Sequence, residues 1–360
     1  MIKIRQNKIY DCTIYFFILT SLIYLSCGNS GSSDDVDISI TWTTKSPMRT
    51  PRMNLGLAVV NYRIYALGGY SGSVVSIVEE YDPVNDSWIR KSDMPTPKMN
   101  FVTAVINSKI YTIGGFSEYN GGRIKYSIAN EEYTPATDQW TVKADLPLVD
   151  MGNNWMGNSY IGGASINGKI YVVIFNTYIS DGTTATYSYD PIEDTWDTNL
   201  APVPFSYTSF SVTPTNNKLF VIKNESDTCF YAEGSGTEFA AYDIFDDLWV
   251  LKNSMDTCRS FLSLCSNGNN IYAIGGVVRN GTTQSDLAIQ NTVNTVEVYD
   301  TETGNWAEGS SAPTARHSQS SVVLDNKIYI IGGATEDVIG GSSLESVTPI
   351  ALVEEGHITN

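Results

Sequence analysis

The sequence predicts an all-β, six-bladed propeller, and three registers carry the prediction: a recurring tryptophan, a tyrosine seven residues ahead of it, and an apolar Ile/Leu-Tyr/Phe segment ahead of both. Six of the seven tryptophans stand at Trp42, Trp88, Trp140, Trp196, Trp249 and Trp306, separated by 46, 52, 56, 53 and 57 residues. A period of this length marks one supersecondary unit that buries its apolar faces against copies of itself. Composition agrees. The 22 Tyr, 7 Trp and 29 Gly of this 360-residue chain, with only 17% charged residues, suit short strands joined by turns.

The first repeat shows each element in order. Leu55 to Val60 (LGLAVV) is short, small and apolar, as a strand lining a crowded axis must be. Ile64 to Leu67 reads as the second strand, and Gly68-Gly69 after it permits positive φ and close backbone approach. Val78 to Tyr81 (VEEY) is the third strand. Asp82-Pro83-Val84-Asn85-Asp86 is a turn signal, and Ser87-Trp88-Ile89 opens the fourth strand. The indole is large enough to cover the sheet face between blades.

The same marks recur. The second-strand segments are IYALGG (64–69), IYTIGG (110–115), IYVVIF (170–175), LFVIKN (219–224), IYAIGG (271–276) and IYIIGG (328–333). Tyr81, Tyr133, Tyr189, Tyr242 and Tyr299 each precede a Trp by seven, and all but Tyr133 are followed by Asp. A further register lies eleven residues ahead of the residue that precedes each Ile/Leu-Tyr/Phe pair: Arg52, Lys98, Asn158, Tyr207, Arg259 and Arg316. The pattern of a strand ending in Gly-Gly, then Tyr-Asp, a turn and Trp resembles the kelch repeat. The resemblance covers residues 38 to about 350 and implies four-stranded antiparallel blades around a central channel.

The ends of the chain complete the ring. The last repeat has a first strand at Ser318 to Leu324, a second at Lys327 to Ile331 and a third within Ser346 to Glu354, but no Trp strand. Ile38 to Thr44, which contains Trp42, has a Trp strand and no repeat before it, so it is expected to serve as the outer strand of the last blade. The domain plan is a signal peptide over 1–26, a flexible tether over 27–37, a propeller over 38–354 and a C-terminal tail over 355–360.

Lys3, Arg5 and Lys8 precede an uncharged apolar run at Ile14 to Leu25, too short to span a bilayer and suited to the core of an export signal. Ser26-Cys27 and the polar stretch after it resemble a bacterial lipoprotein signal, which implies lipidation of Cys27. A plain cleaved signal peptide and an uncleaved anchor are the alternatives. The expected location is the cell envelope or surface, or else the periplasm or medium.

A net charge of −17 disfavours nucleic acid and anionic lipid, so contact with a membrane is expected only through the lipid. With two His and no CxxC pair, no metal or cofactor is expected. Of Cys229, Cys258 and Cys265, the pairing is open.

The cation register sits just before the inner strands. It is expected to ring one channel mouth with Arg52, Lys98, Arg259 and Arg316, joined by Asn158 and Tyr207. Positions two further on, among them Asn54 and Asn100, are expected to share that face. Such a mouth suits a carboxylate-bearing sugar or an acidic peptide. The competing reading is that these cations only bond carbonyls of the scaffold. Trp155 in a Gly/Asn-rich stretch is read as a packing substitute for lost glycines or as a stacking residue. The Tyr-Asp pairs read as blade-building.

Three functions follow. The first is an extracytoplasmic module, expected to be monomeric, that binds a glycan or protein. The second is a sugar mutarotase or epimerase, since exported sialic-acid epimerases of the kelch type share this layout; Arg316 with His317, or Arg259 with a nearby Glu, would supply the acid and base. The third is a structural part of a surface assembly. Copper radical oxidases of the kelch type need two His ligands, and this chain has one His (His317) in a propeller loop and the other (His357) in the expected tail.

Overall fold

The inner and second strands of a blade are joined by turns too tight for ordinary residues. Asn61 and Tyr62, Asn107 and Ser108, Asn216 and Asn217, and Asp325 and Asn326 all have φ between 49° and 60°. Two consecutive left-handed residues make a hairpin turn whose twist matches the strands it joins. The computed structural model describes residues 38–120, 123–147, 159–176, 183–205, 210–223, 237–255, 257–279, 289–339 and 347–359. The expectations for the export signal, Cys27, the tether, Trp155, Asn158 and Tyr207 lie outside them.

Six four-stranded antiparallel sheets form the blades. Blade one runs from the inner strand Gly56–Val60 through Arg63–Leu67 and Val78–Asp82 to the outer strand Ser87–Arg90. The inner strands of the other blades are Val102–Ile106, Ser159–Ile166, Phe210–Thr215, Ser263–Asn267 and Ser320–Leu324. Each inner strand touches the next, and the sixth touches the first, so the ring is closed.

Between each pair of neighbouring blades lies an apolar cluster. Ile64, Tyr81 and Trp88 of blade one, for example, pack with Tyr329, Ile331 and Val353 of blade six. Polar latches sit at the rim of these clusters. The Trp88 indole N–H donates to Ser46 O at 2.9 Å in the preceding blade's chain. Asp86 accepts from Tyr81 OH at 2.6 Å and from Ser46 N at 2.9 Å. The same triple contact recurs at Trp140 with Tyr133 and Asp138, at Trp196 with Tyr189 and Asp194, and at Trp249 with Tyr242 and Asp247. Burial pushes Asp86 up, but these hydrogen bonds outweigh it and hold the carboxyl below its usual range. The Asp that directly follows Tyr has a different task. Asp82 caps its turn by accepting from Val84 N and Asn85 N.

Ring closure follows the expected route with one correction. Ser39–Lys45 is the outer strand of blade six, but its partner is Val353–Thr359, not a strand within 346–354. Residues 355–359, expected as a tail, are therefore part of the propeller, and His357 pairs with Thr41 and Lys327. Pro349 lies ahead of this strand, where it breaks no ladder. The tyrosine register of this blade is occupied by Gly356, opposite Trp42 and Ile328. A Cβ on Gly356 would lie 2.6 Å from Trp42 Cζ3, so the glycine admits the ring.

Candidate functional site

The cation register does not line the mouth. Arg52, Lys98 and Arg259 are 0% exposed and Arg316 is 1% exposed. Each turns into its own blade and meets a glutamate: Arg52 with Glu79 at 2.7 Å, Lys98 with Glu131 at 2.9 Å, Arg259 with Glu297 at 2.7 Å and Arg316 with Glu354 at 2.5 Å. Arg52 also donates to the carbonyls of Ala66, Gly68 and Ile77, which lie where the second and third strands splay at the Gly-Gly corner. Arg259 and Arg316 bond the equivalent carbonyls of Gly275 and Thr295, and of Gly332 and Leu352. Lys98 reaches Thr112 O and Ala129 O.

Burial dominates the electrostatics. It pushes Arg52 down to about 10 and Lys98 down to about 8, against the opposing pull of Glu79 and Glu131. These cations are staples of single blades. The expected cationic rim is thereby corrected, as is the pairing of Arg259 with a glutamate for acid–base chemistry in the channel.

The reason is a backbone turn between the cation and the inner strand. Asn54, Asn100, Phe261 and Ser318 have φ of 54°, 49°, 55° and 55°. Strict alternation from Arg52 to Asn54 therefore fails, and the two side chains part ways. These left-handed residues form a belt around the mouth. Asn54 N donates to Ser318 O at 2.9 Å, Asn100 N to Asn54 O at 3.1 Å, and Ser318 N to Phe261 O at 3.0 Å.

The glycine pairs complete the same corner. Gly68 and Gly69 adopt φ of 54° and 101°. Gly69 N donates to Lys98 O of the next blade at 2.8 Å, as Gly276 N does to Arg316 O and Gly333 N to Arg52 O, both at 2.9 Å. Cation, glutamate and Gly-Gly thus form one device. Blades three and four lack all of it: Tyr187 and Ala240 stand in the glutamate register. In blade four, Lys223 occupies the first-glycine position and pairs with Glu238 at 3.1 Å.

The mouth opens into a cavity of about 240 Å³ on the ring axis, bordered by Asn54, Asn100, Tyr160, Phe261 and Ser318 and continued by Gln319 and by inner-strand residues such as Thr103. Among the described residues lining it, none carries a charge. Asn54 and Asn100 border it without the cations with which they were expected to share a face. His317 is buried next to Ser318, with Nδ1 3.0 Å from Ser318 Oγ, and burial pushes its pKa down. No grouping of three or more His, Cys, Asp or Glu suited to a metal occurs among the described residues.

Two short accessory sheets rise from the same end. Phe116–Asn120 pairs with Arg123–Tyr126 after the Gly-Gly of blade two. Val277–Arg279, Ile289–Thr292 and Val338–Ile339 join the loops of blades five and six. Both are tied to the belt by the bridges Met99–Phe116 and Ser260–Val277.

Comparison with known proteins agrees with this architecture. The Kelch motif model matches residues 51–95, 97–147 and 258–313. Kelch-like protein 30 of Homo sapiens is 40% identical over 49% of this chain and 29% of that protein. Kelch-like protein 35 of Mus musculus is 25% identical over 45% of this chain and 25% of that protein, and Kelch-like protein 15 of Danio rerio is 26% identical over 59% and 35%. The chain spans about a third or less of the length of these relatives. The solved structure of YjhT superposes with a TM-score of 0.67 at 15% identity, covering 88% of this chain and 99% of that one, a likeness of fold. The chain is a kelch-repeat β-propeller with six blades.

Proposed function

We propose that this propeller is an extracytoplasmic interaction module that docks a protein partner on its mouth face. The observation that carries the reading is the asymmetry of the two ends. Among the described residues, the mouth end bears the uncharged belt and both accessory sheets, so it offers side chains and backbone beyond the minimal blade. Accessory loops on a rigid scaffold are the usual place for recognition. Exposed Phe261, at 43%, supplies an aromatic anchor within the belt. Its left-handed φ of 55° is a strain that a bulky residue seldom carries, and such strain gathers at functional positions.

Export is supported by the N-terminal charge and apolar pattern and by Cys258, which is disulfide-bonded, a state favoured outside the reducing cytosol. Lipidation of Cys27 is part of this proposal. It is tested by labelling cells with a fatty-acid analogue and comparing the Cys27→Ser chain; label that persists in the variant sinks the anchor.

The docking face is tested by photo-crosslinking in intact cells. A crosslinker in place of Phe261, the exposed belt residue, should capture a defined partner. One at Val84, in a turn at the opposite end of blade one and 85% exposed, should not. Equal capture at both positions overturns the assignment of the face.

A further inference from the structure

We propose that the axial cavity behind the mouth is a binding site for an uncharged sugar. This goes beyond the docking of a protein and does not depend on it.

The first argument is charge. The four cations that could have met a carboxylate are turned into the blades and neutralised by Glu79, Glu131, Glu297 and Glu354. The described lining residues hold no charge, in a chain of net charge −17. An anion entering here would lose water and gain no counter-ion, a cost of several kcal/mol for an unpaired ion.

The second argument is unmet hydrogen bonding. Gln319, 5% exposed, donates through Nε2 to Ile274 O at 2.7 Å, and this contact fixes its amide. Gln319 lines the cavity, and its Oε1 is buried with no protein partner. Thr103 lines the same cavity, and its Oγ1 is likewise buried without a protein partner. A buried acceptor without a donor costs about 1–3 kcal/mol, so these atoms call for a guest that donates. Sugar hydroxyls donate and accept, and match the amides and hydroxyls of Asn54, Asn100 and Ser318 as well.

The third argument is shape. Phe261 and Tyr160 stand at the opening, and aromatic faces cover the C–H face of a sugar ring. The cavity of about 240 Å³ is smaller than the ~300 Å³ at which pockets for drug-sized ligands begin. One ring fits that scale, and a folded peptide loop does not.

The test is ligand-observed NMR on the full chain with D-glucose, N-acetyl-D-glucosamine and D-glucuronate, the last differing from glucose by one carboxylate. At least one neutral sugar should give a saturable signal, and glucuronate should give none. Phe261→Ala and Thr103→Val should each weaken the neutral sugar roughly tenfold, the loss expected when a buried contact is removed. Val84→Ser, at the far end of the blade, should leave it unchanged. Near-UV circular dichroism confirms that each variant is folded. Glucuronate binding as well as glucose, affinity indifferent to both variants, or no saturable signal from either neutral sugar overturns the proposal. Water alone in the cavity is the reading that then stands.

Discussion

Replacing Arg52 with Met tests the staple at its most loaded point. The guanidinium is 0% exposed and Glu79 is 1% exposed, so no water replaces what is removed. The variant leaves the Glu79 carboxylate buried beside an apolar chain and takes a donor from Ala66 O, Gly68 O and Ile77 O. Breaking one side of a buried pair costs about 3–5 kcal/mol. The lost hydrogen bonds to the three carbonyls place the value at the upper end, about 5 kcal/mol. For a domain somewhat smaller than this one, 1 kcal/mol shifts Tm by about 2–4 °C, so a fall on the order of 10 °C is expected by calorimetry. The double variant Arg52→Met/Glu79→Leu removes the stranded charge and should regain at least about 1 kcal/mol. It should not return to the wild type, because the guanidinium's hydrogen bonds to the three carbonyls are still missing. A single variant as stable as the wild type, or a double variant worse than the sum of its parts, would refute the staple.

Three further outcomes follow. Gly69→Ala, with φ of 101° and a Cβ 2.8 Å from Met53 O, should lose about 2 kcal/mol or more, read as the urea midpoint; no loss would mean the corner is slack. Lys98 is held near 8 in the folded chain against an ordinary value of 10.5. Between those values the unfolded chain binds a proton the folded chain lacks, so wild-type stability relative to Lys98→Met should rise with pH from about 8 to 10 and stay level below. A fall over that window contradicts the burial argument. Removing residues 38–45 bares Val353–Thr359 as an edge strand, so the truncated chain should melt earlier and self-associate in light scattering. A truncated chain that stays monomeric and equally stable shows that the ring is closed by other means.

Much of the fold was legible because its marks are chemically unusual. A tryptophan that bridges blades, a tyrosine that reaches an aspartate five residues on, and a glycine pair forced to positive φ leave few substitutes. The last strand was misplaced because blade six breaks the code: Gly356 replaces tyrosine to admit Trp42. The direction of the cation side chains was not legible, because alternation assumes an extended chain and the belt residues Asn54 and Asn100 are left-handed. The signal for the buried pairs was nonetheless present in the sequence. Glutamate stands two residues before the tyrosine register in the blades that carry both cation and Gly-Gly, and gives way to Tyr187 and Ala240 in the two that carry neither. The accessory sheets gave no sign, being two- to five-residue strands inside long loops.

Arginine labelling decides whether the register cations face inward. The folded protein is treated with phenylglyoxal and each arginine is read by peptide mass spectrometry. Arg63 and Arg90, 33% and 41% exposed at the side chain, should react, while Arg52, Arg259 and Arg316 stay untouched until the chain is unfolded. Reaction of those three in the folded protein at the rate of Arg90 would contradict the account.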